Sequence, residues 1–342
     1  MGVIQTRHLN SQLKMTTHRA SAVILDQPGS IALREVDLTG MGAEDVRVRT
    51  AFSGISTGTE RLFYTGEMPA FPGMGYPLVP GYETVGEVIE AGSAAQLQVG
   101  DWVFVPGANC YGPIRGLFGG ASSELITAGS RALRIAPDLQ QQGVLMALAA
   151  TAHHALAGPQ YTFDVREPRA GLTAPLPDLI VGHGVMGRLL ARMIVALGGS
   201  PLVWETDTKR HAGAQGYRVH EPSYCKGQSY SLIVDASGAG QALSSWIDHL
   251  RPGGELVLAG FYTQQLSFGF VPAFLREARI RVAAQWQPSN LLAAAHMVSI
   301  GALSLDGLIT DEHSPEQAPQ AYAHAFSSSE ALKVVLDWRK LQ

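Results

Sequence analysis

Two kinds of apolar–polar pattern divide the chain. Short runs of period two, SAVILD, IALREVDL and EDVRVRTAFSGIS, fill residues 21–56 between turns, the mark of half-buried strands. The Gly- and Pro-punctuated stretch 66–86 reads as an ordered loop leading into two further strands, VGEVIEAG and VGDWVFVPG. From residue 139 the pattern changes. GVLMALAATAHHALAG reads as a helix, and the Pro-containing residues 159–177 as a linker or surface excursion. Strands and helices then alternate: LIVG a strand, residues 186–198 a helix stopped by Gly198, PLVWE a strand, TKRHAGAQGY a helix, YSLIVDASG a strand, QALSSWIDHLRPGG a helix with a glycine stop, ELVLAGFY a strand. That order predicts a parallel sheet with helices on both faces. The tail adds a helix in SNLLAAAHMVSIGAL, a strand–turn–helix over 308–326, and a last strand in ALKVVLDW.

Composition removes several functional classes. Lys plus Arg is 25 against 29 for Asp plus Glu, so there is no basic surplus for nucleic acid or an anionic membrane surface. The longest uncharged apolar run, 143–158, is shorter than the ~20 residues of a membrane span and contains His153 and His154. The two cysteines, Cys110 and Cys225, exclude a disulfide scaffold and a four-cysteine zinc lobe, and fit a cytoplasmic protein. Residues 1–16 lack the apolar core of a secretory signal and read as a flexible extension. MGVIQT fits a loose myristoylation pattern that chance explains, and Met15 is a candidate start.

Candidate chemistry begins at GHGVMG. Gly182, Gly184 and Gly187 follow the apolar strand LIV and open a helix, the context in which GxGxxG binds a dinucleotide. Gly182 allows the tight turn, Gly184 lets a pyrophosphate approach the backbone, and Gly187 lets helix and strand pack closely. Val185 and Met186 belong to the helix N-terminus, whose free N–H groups suit an anion. Glu205 ends the next strand, where a carboxylate can bind ribose hydroxyls and repel a 2′-phosphate, favouring NAD over NADP. Asp207 is a second choice for that contact, Lys209 and Arg210 keep NADP open, and Asp235, at the end of YSLIVD, is a further cofactor contact.

GISTGTE, VPGYETVGEVIEAG, VGDWVFVPG, LIVGHGVMG, IVDASG, LRPGGELVLAGF and ALKVVLDW together resemble the medium-chain dehydrogenase/reductase superfamily over residues 17–342. The resemblance implies an α/β protein: a GroES-like β-rich catalytic domain plus a Rossmann doubly wound parallel sheet. On that basis 17–158 is the first part of the catalytic domain, 159–177 the linker and 178–285 the NAD-binding domain. Residues 286–342 form a return segment completing both domains. Residues 52–83 and 103–123 are more closely similar to the family that oxidises the 3-(1-hydroxyethyl) group of a bacteriochlorophyllide to 3-acetyl with NAD. This implies a bacteriochlorophyllide substrate, no nucleic-acid partner, no membrane span and, by analogy, a homodimer.

In zinc-dependent members of the superfamily a Cys, a His before a Glu, and a Cys or Glu on the next helix hold the metal. Those positions fall here on Ser56 or Thr57, on Tyr82 beside Glu83, and on Ala147. Such side chains are not zinc ligands, so no metal is expected, although Glu60, Glu83 and His153 or His154 could form a rearranged set. Without zinc a side chain must accept the alcohol proton. Ser56, Thr57 and Thr59 can relay it. Tyr82 can accept it only with a lowered pKa, and Glu60, Glu83 and His153 are the ionisable alternatives. His153 and His154 are consecutive on a helix and cannot face the same way, so at least one is expected to be structural or at the surface. Phe63, Tyr64, Phe71, Met74, Tyr76 and Phe118 are candidate walls for a flat apolar substrate. Two other functions compatible with the same motifs are a zinc-free quinone or enoyl reductase and a non-catalytic NAD-binding protein.

Overall fold

A computed structural model describes residues 18–341 apart from 159, 168–171 and 173–174. The expected extension at 1–16 lies outside the described residues, as does part of the linker. The period-two segments form strands as their patterning requires. His18–Gln27 and Ser30–Leu38 pair as a hairpin in a four-stranded sheet, which Leu78–Val79 and Arg115–Gly116 complete. Asp45–Ile55 crosses the centre of a seven-stranded sheet. It pairs with Thr84–Ala91 and Glu124–Ala128, and also with the C-terminal strand Lys333–Asp337. The end of the chain therefore returns to the sheet built by its beginning.

Between them lies a parallel sheet of six strands in the order Arg218–His220, Leu202–Trp204, Leu179–Val181, Tyr230–Asp235, Leu250–Leu258, Arg279–Val282. The chain leaves Leu179–Val181 toward one edge and resumes at Tyr230–Asp235 toward the other. The switch point, where ligands bind in such sheets, therefore lies over the 182–184 turn. Helix Met146–Ala157 joins the two regions. Its apolar face continues a single core from Phe52, Val85 and Phe104 of the seven-stranded sheet to Ile180, Leu189 and Val234 of the parallel sheet. Each fully buried Phe in that core contributes about 1.5–3 kcal/mol.

Three local expectations need correction. TKRHAGAQGY is not a helix: only Thr208–Arg210 makes a 3-10 turn, and Gly213 and Gly216 take φ values of +85° and +79°. A Cβ on Gly213 would lie 2.1 Å from an Arg188 guanidinium nitrogen, so this loop is shaped around that arginine. QALSSWIDHLRPGG gives a helix only over Leu243–Asp248. LRPGG already belongs to strand Leu250–Leu258, with a register shift that lets the Pro-Gly-Gly run bulge out. Finally, the described part of the linker is not merely a surface excursion. Tyr161 is buried and meets His153 edge-on at 4.7 Å.

Candidate active site

Helix Val185–Ala196 starts at Gly184 without a side-chain cap, which leaves its first N–H groups uncapped by any side chain of the turn. A Cβ on Gly187 would lie 1.9 Å from the Gly182 carbonyl oxygen, and one on Gly182 would meet Ser237 at 3.0 Å, with φ already at +96°. A Cβ on Gly184 would meet nothing within 4 Å. The turn is closed against its own sheet and open on the side where a pyrophosphate would lie, so it fits the dinucleotide. Glu205 is held ready beside it: one carboxylate oxygen accepts from the His183 N–H and the other from the Asp207 N–H, both at 2.9 Å. A carboxylate has lone pairs left for ribose hydroxyls after two such bonds.

His183 ties this turn to the loop that carries Arg210 and Tyr217. Burial lowers its pKa to about 4, so the ring is neutral. Its Nδ1 lies 2.6 Å from the Arg210 carbonyl and its Nε2 2.8 Å from the Tyr217 hydroxyl. A cavity of about 540 Å³ opens beside the loop between Arg188, Lys209, Arg210, Gly213 and Glu330. Lys209 is paired with Glu330 at 2.7 Å, and Arg210 donates to the Ser329 carbonyl at 2.6 Å. Asp235 is fully buried. Its carboxylate accepts from the Ser237 N–H and hydroxyl, the Gly238 N–H and the Tyr262 hydroxyl. It therefore shapes the loop that packs on Gly182.

The second cluster lies at the ends of strands Asp45–Ile55 and Thr84–Ala91. The Ser56 and Tyr82 hydroxyls are 2.6 Å apart, and the Thr59 hydroxyl also hydrogen-bonds the phenol. Burial, with nearby Glu83 adding to it, raises the Tyr82 pKa above its usual value. This is the wrong direction for a base, so the lowered pKa that Tyr82 would need as a proton acceptor is not provided. Glu83 is fully buried, and its Oε2 takes Lys333 Nζ at 2.6 Å. Lys333 also donates to the Ile55 carbonyl at 3.1 Å. The other Glu83 oxygen has no partner among the described residues.

Glu60 lies in the same cluster, 1% exposed. It accepts from the Ser56 N–H at 3.1 Å and from the Tyr322 hydroxyl at 2.6 Å. Burial raises its pKa from 4.5 to about 7, against the lowering effect of those two bonds. Lys333 and Tyr322 are buried partners of this cluster that the sequence did not point to. The signal for Lys333 was a lone cation in the apolar strand ALKVVLDW. The segment that carries it joins the two clusters: Glu330 pairs with Lys209, Leu332 lines the cavity beside Arg188, and Lys333 reaches Glu83.

His153 is not brought to this cluster. Both histidines are buried on one residue of helix Pro288–Ser299: the Asn290 amide lies 3.2 Å from His153 Nδ1 and its oxygen 3.1 Å from His154 Nδ1. Neither is a surface residue, since the small helix Ala side chains around them let Asn290 approach both rings. Burial, with His154 beside it, lowers the His153 pKa to about 4, so it is a poor proton acceptor at neutral pH. The rearranged metal set of Glu60, Glu83 and a histidine is therefore not assembled. The residues at the usual zinc positions do not fit the ion either: Ser56 and Tyr82 hydrogen-bond each other, and Ala147 offers only a buried methyl. Most of the expected aromatic wall is spent elsewhere. Phe63 packs with Leu25 and Leu78 in a small core that Tyr64, Met74 and Tyr76 cover.

Residues 42–138 match the alcohol dehydrogenase GroES-like domain family. Over 327 residues the chain is 51% identical to the 2-desacetyl-2-hydroxyethyl bacteriochlorophyllide A dehydrogenase of Cereibacter sphaeroides, spanning 94% of this chain and 99% of that protein. The chain belongs to the bacteriochlorophyllide dehydrogenase group of the medium-chain dehydrogenases. Its similarity to the relative of the same name in Rhodobacter capsulatus is 52% over 319 residues, 93% of this chain and 98% of the other.

Solved structures support the fold of this dehydrogenase. An E. coli alcohol dehydrogenase complexed with NADH aligns with a TM-score of 0.76 at 19% identity, over 94% of this chain and 99% of that one. A Sinorhizobium meliloti dehydrogenase bound to NADP aligns with 0.74 at 20% identity, over the same shares. Each of those two proteins is bound to a nicotinamide nucleotide. Among the described residues of this dehydrogenase no helix is long and apolar enough to cross a membrane.

Proposed function

We propose that this dehydrogenase oxidises the 3-(1-hydroxyethyl) group of a bacteriochlorophyllide to 3-acetyl, with NAD as acceptor and without catalytic zinc, as a step of bacteriochlorophyll a biosynthesis. The carrying observation is 51% identity, over 99% of its length, to a relative named for that hydroxyethyl pigment. The Gly182, Gly184 and Gly187 turn, with Val185 and Met186 at the helix start, would hold the pyrophosphate, and Glu205 the adenosine ribose. Lys209 is neutralised by Glu330, which weakens its appeal to a 2′-phosphate and supports NAD over NADP. Bound NAD supplies hydride acceptance.

The protein's own task is to orient the alcohol and take its proton. The Ser56, Thr59 and Tyr82 hydroxyls form a hydrogen-bonded set that positions the substrate oxygen. Tyr82 stays protonated and donates. We assign Glu60, which holds the Ser56 N–H and whose pKa of about 7 suits acceptance near neutral pH, as the acceptor of that proton, reached from the hydroxyls through one bridging water. Glu83 and Lys333 are a buried ion pair that fixes the Tyr82 turn against the end of strand Asp45–Ile55. Oxidation thus removes one hydride from the carbinol carbon and one proton from its oxygen.

The assembly we propose is a homodimer. Phe270, Val271, Phe274 and Leu275 of helix Phe270–Leu275 are each more than 60% exposed, and Val282 on the adjoining edge strand is 69% exposed. The free edge of Arg279–Val282 is a template for strand pairing, and a second copy would satisfy it across a two-fold axis.

The reaction is tested by mixing chelator-treated protein, NAD and 3-hydroxyethyl bacteriochlorophyllide a. The account expects the long-wavelength pigment band to move to the red as NADH absorbance appears in equal amount. No shift at saturating NAD, or a shift only after zinc is added, would overturn it.

A further inference from the structure

The geometry points to Phe118 as the residue that receives the flat apolar face of the pigment and so selects a macrocyclic alcohol over a small one. This inference rests on the function proposed above and adds a specificity determinant to it. Phe118 is 40% exposed, although the backbone around it is firmly tied. Its carbonyl accepts from the Ala108 N–H at 2.8 Å, and the Leu117 and Gly119 N–H groups both donate to the Val79 carbonyl at 2.9 Å. The chain here cannot easily retract the ring: a Cβ on Gly107 would lie 2.1 Å from the Phe118 oxygen, and one on Gly119 1.8 Å from the Ala108 oxygen. The exposed part of the ring is thus held in a fixed place, where it can offer an apolar surface to a bound molecule.

Its neighbours say where that molecule would lie. The Phe118 ring meets the Tyr82 ring edge-on, with centroids 5.8 Å apart at 81°, and is backed by Phe63 at 6.5 Å. The Tyr82 hydroxyl is in turn bonded to Ser56. Phe118 therefore touches the ring that carries one of the hydroxyls proposed to orient the alcohol. A small alcohol at those hydroxyls would leave Phe118 wet. A flat macrocycle carrying the hydroxyethyl group at its rim would extend over it and gain an aromatic contact. Of the other aromatic candidates, Phe63, Tyr64 and Tyr76 are committed to the small core behind the loop.

The test compares wild-type protein with Phe118→Ala and Phe118→Trp. For 3-hydroxyethyl bacteriochlorophyllide a, Phe118→Ala should raise KM roughly tenfold while kcat changes less than about threefold. NAD affinity should stay unchanged, and Phe118→Trp should restore KM by supplying another flat ring. Pigment binding in the presence of NADH, read by quenching of protein fluorescence, gives the same comparison without turnover. Equal pigment affinity in wild-type and Phe118→Ala protein overturns the role of Phe118. Tight pigment binding without turnover by the wild type instead overturns the proposed reaction and leaves the Phe118 comparison to stand on affinity.

Discussion

Replacing Glu60 by Gln separates the carboxyl proposed to accept the proton from the scaffold around it. The wild-type carboxyl is almost wholly buried, and burial carries it from 4.5 to about 7. A folded-state pKa above the unfolded one means that the native protein binds this proton more tightly. The associated stability is fully present below about pH 4.5 and is lost as pH rises through about 7. At about 1.4 kcal/mol per tenfold change in proton affinity, the whole loss is about 3 kcal/mol. About 2 kcal/mol of it falls between pH 5.5 and 8.5. Gln cannot titrate. It keeps one acceptor for the Ser56 N–H or the Tyr322 hydroxyl and loses the other bond, a cost of about 1 kcal/mol that does not vary with pH.

Urea unfolding of both proteins at pH 5.5, 7.0 and 8.5 should therefore show the difference between them shrinking or reversing as pH rises. In parallel, wild-type kcat/KM should rise through a limb near pH 7. Glu60→Gln should lose that limb along with about a hundredfold or more in kcat. Parallel stability curves across this pH range, or a surviving limb in the variant, would refute both the buried titration and the assignment of the base.

Glu205→Ala should raise KM for NAD about tenfold or more and narrow its advantage over NADP, because the ribose loses its acceptor; an unchanged NAD to NADP ratio would show that the ribose contact is misplaced. Val282→Arg, on the free edge of the parallel sheet, should convert a dimer to a monomer in light scattering while leaving the fold intact by circular dichroism. A dimer that survives that change would locate its interface elsewhere.

The strands and the glycine turn were legible in the sequence because each rests on local physics. VRVRT alternates, and its strand is half-buried at alternate positions. GHGVMG could be placed because a strand precedes it and a helix follows. The site's charges were not legible, because they depend on contacts between distant segments. Lys333 meets Glu83 across 250 positions, and Tyr322 meets Glu60 across 262. The two histidines show the same limit. Their spacing on a helix showed only that they point different ways; it could not show that Asn290, from another helix, lies near both rings, with its oxygen by one and its amide nitrogen by the other. TKRHAGAQGY looked helical by composition because nothing in it reveals that Gly213 must leave room for Arg188.

The account stands most directly on hydride transfer from the pigment to the nucleotide. Substrate carrying deuterium at the carbinol carbon of the hydroxyethyl group, turned over once with unlabelled NAD, measures it. The account predicts one deuterium per acetyl group formed, recovered at C4 of the reduced nicotinamide. Deuterium released to water, or an acetyl product formed with no label in the nucleotide, would contradict it.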